Sequence, residues 1–216
     1  MKRSYIIIAS AISLAVFFTV AGYLYNTQQA QTMNQAANQN ADALIAAHSP
    51  RKGNPQAKVT IVEFLDPACG TCKQFHPVIK DLLAKYPEKI NVVLRYAPFH
   101  HGSEQMVAIL EAARKQDQFW NVLDLMFETQ QYWAINHQAR ADLFWGYLKG
   151  YGFDIERLQQ DMQDPAIAKV IEQDLADGKL LGANKTPTFF VNGKPLPSFG
   201  YEQLMTLINS ELSAND

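Results

Sequence analysis

Residues 53–72 read GNPQAKVTIVEFLDPACGTC. Lys58–Leu65 (KVTIVEFL) is a compact β-branched and aromatic run, which reads as a strand, and Asp66-Pro67 ends it. From Gly70 the period becomes helical, with Phe75, Val78, Ile79, Leu82 and Leu83 sharing one face up to Tyr86-Pro87. Ile90–Tyr96 (INVVLRY) reads as a second buried strand. Strand, helix and strand in this order form a βαβ unit, with a cysteine pair at the first junction.

Cys69 and Cys72 are the only cysteines in the chain. A structural disulfide gains most by closing a long loop, so a bridge across Gly70 and Thr71 adds little stability. Chemistry explains the spacing better. The first N–H groups of a helix lack intrahelical partners and the dipole is positive there, so a thiolate is favoured. In such motifs the thiol pKa falls from ~8.5 into the range of about 3.5–7.5. This reading puts Cys69 at the helix start with an exposed sulfur, as the nucleophile. Cys72 lies a turn further in, more buried, as the resolving thiol. A half zinc site is the competing reading, but it needs two more ligands. Only the five histidines His48, His76, His100, His101 and His137 could join the pair. His76 reads as solvent-facing, and His100-His101 as a polar loop tip before an N-cap at Ser103.

Downstream, Met106, Ile109, Leu110 and Ala113 share a helical face, as do Phe119, Val122, Leu123 and Met126, and then Leu143, Phe144, Tyr147 and Leu148. Asp164-Pro165 opens another helix as N-cap and first-turn pair. Thr188–Val191 (TFFV) is a strand, Asn192-Gly193 a hairpin turn, and Lys194–Leu196 a short return strand with Pro195 suited to an edge. Leu204, Leu207 and Ile208 mark a closing helix. The aromatic group Phe119, Trp120, Trp133, Phe144 and Trp145 reads as core, with some members free to line a groove.

Upstream, Tyr5–Tyr25 is a run of 21 residues with no charge, preceded by Lys2 and Arg3. As a helix it reaches roughly 31 Å, the thickness of a hydrocarbon core. It reads as a single membrane anchor with the charges cytoplasmic and Tyr23 and Tyr25 at the far interface. The alternative is a signal peptide cut after Thr19 and Ala21. Either reading exports the rest of the chain. Residues 26–53, rich in Gln, Asn and Ala, read as a flexible stalk with a short helix near Asp42–His48. Across all 216 residues the hydrophobic share is 48%, the charged share 19% and the formal net charge -2. That is a globular composition, and it gives no electrostatic case for nucleic-acid binding.

Residues 53–72 resemble the opening of the DsbA-like thioredoxin family. Leu181–Gly193 (LGANKTPTFFVNG) resembles its cis-proline signature, and FHHGSEQMVAILEAARKQDQFWNVLDLMFETQ its helical insertion. The resemblance covers about residues 53–212. It implies an α/β thioredoxin-like fold at residues 54–212, with an inserted helical domain at about 101–178, preceded by the N-terminal membrane or signal segment of residues 1–25. Pro187 is then the cis-proline beside the sulfurs, exposing the Thr186 backbone to a client strand. The Thr186 hydroxyl is placed to tune the pair. Glu63 matches the buried acid that moves protons for the second cysteine, although an exposed strand position is equally compatible with the sequence. Gly70 and Thr71 also tune the pair: the histidine found between the cysteines of the family's strongest oxidants is missing, which leans toward a moderate potential. Thr71 could compensate with one hydrogen bond.

The activity implied is dithiol–disulfide exchange at Cys69-Gly70-Thr71-Cys72, without metal or organic cofactor, on exported client proteins carrying thiols or disulfides. A membrane partner resets the pair, either a DsbB-like quinone-linked oxidase or a DsbD-like thiol-reducing transporter. The location implied is the inner membrane with the catalytic domain facing the periplasm, or the soluble periplasm if the N-terminus is cut. A disulfide isomerase or reductase, and a thiol-based metal-binding or chaperone module of the same fold, are the alternatives.

Overall fold

The computed structural model describes residues 2–214, and the side chains of residues 2–4 lie outside the described residues. The expected cytoplasmic charges of Lys2 and Arg3 therefore fall outside them. The elements are α1 (Lys2–Gln39), α2 (Ala41–Leu44), β1 (Arg51–Gly53), β2 (Val59–Leu65), α3 (Gly70–Lys85), β3 (Ile90–Tyr96), α4 (Ser103–Arg114) and α5 (Phe119–Trp133). A two-residue hairpin, β4 (Ala134–Ile135) and β5 (Gln138–Ala139), comes next, then α6 (Ala141–Lys149), α7 (Ile155–Asp161), α8 (Pro165–Leu181), β6 (Thr188–Val191), β7 (Lys194–Pro195) and α9 (Tyr201–Ala214).

One five-stranded sheet carries the molecule, in the order β1-β3-β2-β6-β7. β2 and β3 are parallel, Val59 opposite Ile90 and Leu65 opposite Tyr96, so α3 is the crossover that returns the chain. β6 lies antiparallel on the other side of β2, with Glu63 opposite Phe189. The Asn192-Gly193 turn has positive φ at both residues, 48° and 79°, as a two-residue hairpin demands. The helical insertion between β3 and β6 spans α4 to α8.

Alternation along the central strands sorts the core into two layers. Ile61, Leu65, Val92, Leu94, Phe189 and Val191 face the large cluster built with α3, the insertion and α9. Val62, Phe64, Val93 and Phe190 face the opposite way, where Ala37, Ala43, Leu44 and Leu181 cover them and Met33 packs alongside. This second layer overturns the expected flexible stalk at residues 26–53. α1 continues unbroken through Gln39 and docks on the domain, α2 seals the sheet, and β1 pairs with β3. Strands buried on both faces need cover on both, and small residues on one face of a Gln- and Asn-rich helix are enough to supply it.

A buried ion network fastens the same segment. Arg95, fully buried, donates from Nε to Asp174 at 2.9 Å, from Nη2 to Asp177, and from Nη1 to the Ala43 carbonyl. His48 reaches Asp174 from the segment itself at 2.6 Å. The domain thus begins before residue 54. At the other end of α1, Tyr5–Tyr25 is exposed along its length, and this is the one helix among the described residues long and apolar enough to cross a membrane.

Candidate active site

Strand β2 delivers the chain into Asp66-Pro67, and the loop beyond it is ordered by a single buried carboxylate. Asp66 accepts from the Ala68 N–H at 2.8 Å, the Ser103 hydroxyl at 2.6 Å and the His100 N–H at 2.9 Å. His100 Nδ1 lies 2.7 Å from Asp66 Oδ2, the oxygen that also accepts the His100 N–H. From the insertion, Gln130 on α5 donates its amide to the carbonyls of Pro67, at 2.8 Å, and Cys69, at 3.0 Å. The loop that carries the first cysteine is therefore tied to both halves of the molecule.

Cys69 is the N-cap of α3, with φ -73° and ψ 119°, and its sulfur accepts the Cys72 N–H at 3.5 Å. The Cys69 thiol also lies 3.2 Å from the Thr186 carbonyl, to which it donates. Both cysteines are free thiols. Cys69 is only 6% exposed and Cys72 is fully buried. The expected exposed sulfur is thus corrected: the Thr186-Pro187 loop lies against Cys69, which meets solvent through a cleft of about 660 Å³. The Thr186–Pro187 peptide bond is cis.

The two thiols are driven apart. A hydrogen bond from Cys72, then those from the Thr186 side chain and the Cys72 and Thr71 backbone, outweigh burial and lower Cys69 from 9.0 to about 5. Cys72 is pushed well above 9.0, first by burial, then by its hydrogen bond to Cys69 and the charges of Glu63 and Cys69. No histidine stands between the cysteines, and the contributions that lower Cys69 are hydrogen bonds. Thr71 contributes through its backbone N–H, and the side chain of Thr186 contributes directly. Gly70 is exposed, and a Cβ there would meet nothing.

Glu63 is buried on β2 at 1% exposure, which removes the exposed alternative. Its Oε1 has no hydrogen-bond partner, and burial, followed by the charge of Cys69, raises its pKa from 4.5 to about 8. At neutral pH this carboxyl holds its proton.

Other expectations divide. His76 is neither at the sulfurs nor in solvent: Asp124 holds it at 2.6 Å and Phe127 packs on its ring. Phe119, Trp133 and Phe144 are core, with Trp120 and Trp145 half-buried around them. Ser103 begins α4 rather than capping it and gives its hydroxyl to Asp66. The sequence reading missed Asp66, His100 and Gln130 as organisers of the site. For Gln130 a signal existed, since it shares a helical face with Met126, Phe127 and Trp133, where a polar residue needs a buried partner. Among the described residues, no group of three or more His, Cys, Asp or Glu is arranged to hold a metal ion.

Fold and site together define a thioredoxin fold with an inserted helical bundle and a cysteine pair split in acidity at a helix N-terminus. The family model described as Thioredoxin matches residues 45–210, and the chain belongs to that family. Its fold is DsbA-like. A thioredoxin-like oxidoreductase from Silicibacter pomeroyi DSS-3 superposes with a TM-score of 0.69 at 26% identity, covering 81% of this chain and 98% of that one. BdbD from Bacillus subtilis superposes with a TM-score of 0.66 at 24% identity, covering 76% of this chain and 93% of that one. Among curated relatives, the Na(+)/H(+) antiporter NhaA of Herminiimonas arsenicoxydans is 31% identical over 188 residues, 84% of this chain. The chain spans only 29% of that relative's length. Disulfide bond formation protein D of Bacillus subtilis is 29% identical over 176 residues, 76% of this chain and 77% of that protein.

Proposed function

We propose that this chain is a protein dithiol–disulfide oxidoreductase of the cell envelope that forms disulfides in exported proteins. The observation that carries the reading is the split between the two sulfurs: Cys69 lowered to about 5, Cys72 raised well above 9.0. An easily ionised Cys69 stabilises the reduced pair, which makes the disulfide form the better oxidant. The name of the Bacillus subtilis relative, a disulfide bond formation protein, favours the same direction.

In the oxidised enzyme a client thiolate attacks the Cys69 sulfur and forms a mixed disulfide. The Cys69–Cys72 bond breaks and Cys72 leaves. A thiolate with so high a pKa is a poor leaving group, and Glu63, which carries its proton at neutral pH, is the donor that neutralises it. The client's second thiolate then attacks the client sulfur of the mixed disulfide. The client disulfide forms and Cys69 departs as the stabilised thiolate. The client backbone lies along Thr186, beside cis-Pro187. Gly70 and Thr71 leave the approach low and hydrogen-bonded. The reaction needs no metal or organic cofactor, only a membrane partner of the DsbB-like kind to restore the disulfide.

The catalytic domain acts on the periplasmic side, tethered through α1. The helix runs without a break from the apolar run into the segment docked on the sheet, which supports retention of the anchor.

Two variants test the reading. With Cys72→Ser, the Cys69 thiolate should attack a client supplied in its disulfide form, one client sulfur leaving as thiolate, and the mixed disulfide on Cys69 should accumulate because no resolving thiol remains. With Cys69→Ser, oxidation of the client should cease. Persistent oxidation by Cys69→Ser would end the proposal.

A further inference from the structure

The turn joining β4 to β5 is built against its own backbone preference. Asn136 and His137 both have positive φ, 51° and 60°. A two-residue hairpin requires this pair of left-handed conformations, and glycine ordinarily takes the second place, as Gly193 does after Asn192. Here the second place holds an exposed imidazole. Strain of this kind persists only where the surroundings fix it, and it points to a task for the side chain.

The surroundings do fix it. The Ala139 N–H donates to the His101 carbonyl at 2.8 Å, and the Arg140 N–H to the Trp133 carbonyl at 2.8 Å. Gly102, at φ 82°, allows the contact, since a Cβ there would collide with the Ala139 carbonyl. The turn is thereby laid against the loop that holds His100. The rings of His100 and His137 are near parallel, 11° apart in tilt with centroids 6.1 Å apart.

Both imidazoles line the cleft of about 660 Å³ into which Cys69 opens, together with Lys73, Gln131 and Asn136. Among the described residues, no carboxylate lines it. Asp66 lies beneath, its oxygens committed to the loop and to His100 Nδ1, which leaves His100 Nε2 unspent. Lys73 forms no ion pair among the described residues, and His137 makes no hydrogen bond among them. The cleft therefore offers His100 Nε2, the His137 ring and the Lys73 ammonium, with no carboxylate in its lining.

We propose that His137, with His100 and Lys73, selects client chains that carry a carboxylate beside the reacting cysteine. The proposal rests on exchange at Cys69 and adds a preference to it. His137 acts on the client: the hydrogen bonds at the Cys69 sulfur among the described residues run to Thr186 and Cys72.

The test uses the full chain in detergent with its disulfide formed. Two reduced peptides differ only in having Glu or Lys next to their cysteine, and dithiothreitol serves as a reductant too small to reach the turn. Wild type should oxidise the Glu peptide roughly tenfold faster in kcat/KM, the order expected when attraction between exposed charges is exchanged for repulsion. His137→Gly should cut that preference at least to about a third, leave the dithiothreitol rate and the redox potential unchanged, and melt at higher temperature because glycine relieves the turn. His137→Lys should retain the preference. Equal rates with the two peptides in wild type, an undiminished preference in His137→Gly, or a lower melting temperature for that variant would each overturn the proposal. If dithiothreitol fails to reduce wild type at all, the exchange reading itself falls, whatever the peptides do.

Discussion

Replacing Glu63 by Gln keeps the shape of a buried side chain and removes its charge. In the folded dithiol protein the carboxyl stays protonated up to about pH 8, whereas its ordinary value is 4.5. Between those two values the unfolded chain is ionised there and the native chain is not, so unfolding releases a proton and native stability falls as pH rises. The stability is intact below pH 4.5 and is lost as pH climbs through 8. At about 1.36 kcal/mol per pH unit, the interval up to pH 7 is worth roughly 3 kcal/mol, an upper figure for the cost of Glu63 in the native state. Urea unfolding of reduced wild type and Glu63→Gln across this range measures it. Ionisation of Cys69 contributes its own slope to both proteins and largely cancels in the difference. The two should be equally stable near pH 4, and Glu63→Gln should be more stable by up to roughly 3 kcal/mol at pH 7. The same variant should slow client oxidation by about a hundredfold, because Cys72 would leave unprotonated. A stability difference independent of pH, or a variant less stable at neutral pH, would refute the reasoning.

Thr186→Val removes a hydroxyl that helps hold the Cys69 thiolate; at about 1 kcal/mol for the bond, the Cys69 pKa should rise and the potential become roughly 20 mV more reducing, read against glutathione buffers. Gln130→Leu deletes both amide bonds to the cysteine loop and should cost about 2–3 kcal/mol in urea unfolding, with client oxidation falling more than dithiothreitol reduction. Asp174→Ala leaves the buried Arg95 short of a partner and should cost about 3–5 kcal/mol, with protease cutting first in residues 40–50 as that segment releases from the sheet.

The redox junction was legible because its code is local. A β-branched run, a breaker, two cysteines at helix spacing and an Asn-Gly turn each state a backbone conformation in consecutive residues. The cover on the second face of the sheet was not legible. Val62, Phe64, Val93 and Phe190 alternate with residues facing the other way, and their partners Met33, Ala37 and Leu44 sit in a segment whose composition looks solvated. Strand periodicity reports that a face is buried without saying by what. The polar frame around Cys69 was hidden for the same reason: Asp66, Ser103 and Gln130 converge from a strand end, a helix start and the insertion, each with an adequate local explanation of its own. Arg95 in a fully buried strand was the plainest unread sign. A buried guanidinium requires acids, and Asp174 and Asp177 are one helical turn apart on α8.

Everything rests on Cys69 ionising easily beside Cys72. Iodoacetamide labelling of the reduced full chain as a function of pH, with the modified residue identified by mass, tests this most directly. The account predicts modification at Cys69 with a midpoint near about 5 and none at Cys72 over that range. A midpoint near the ordinary 9.0, or equal labelling of the two sulfurs, would contradict it.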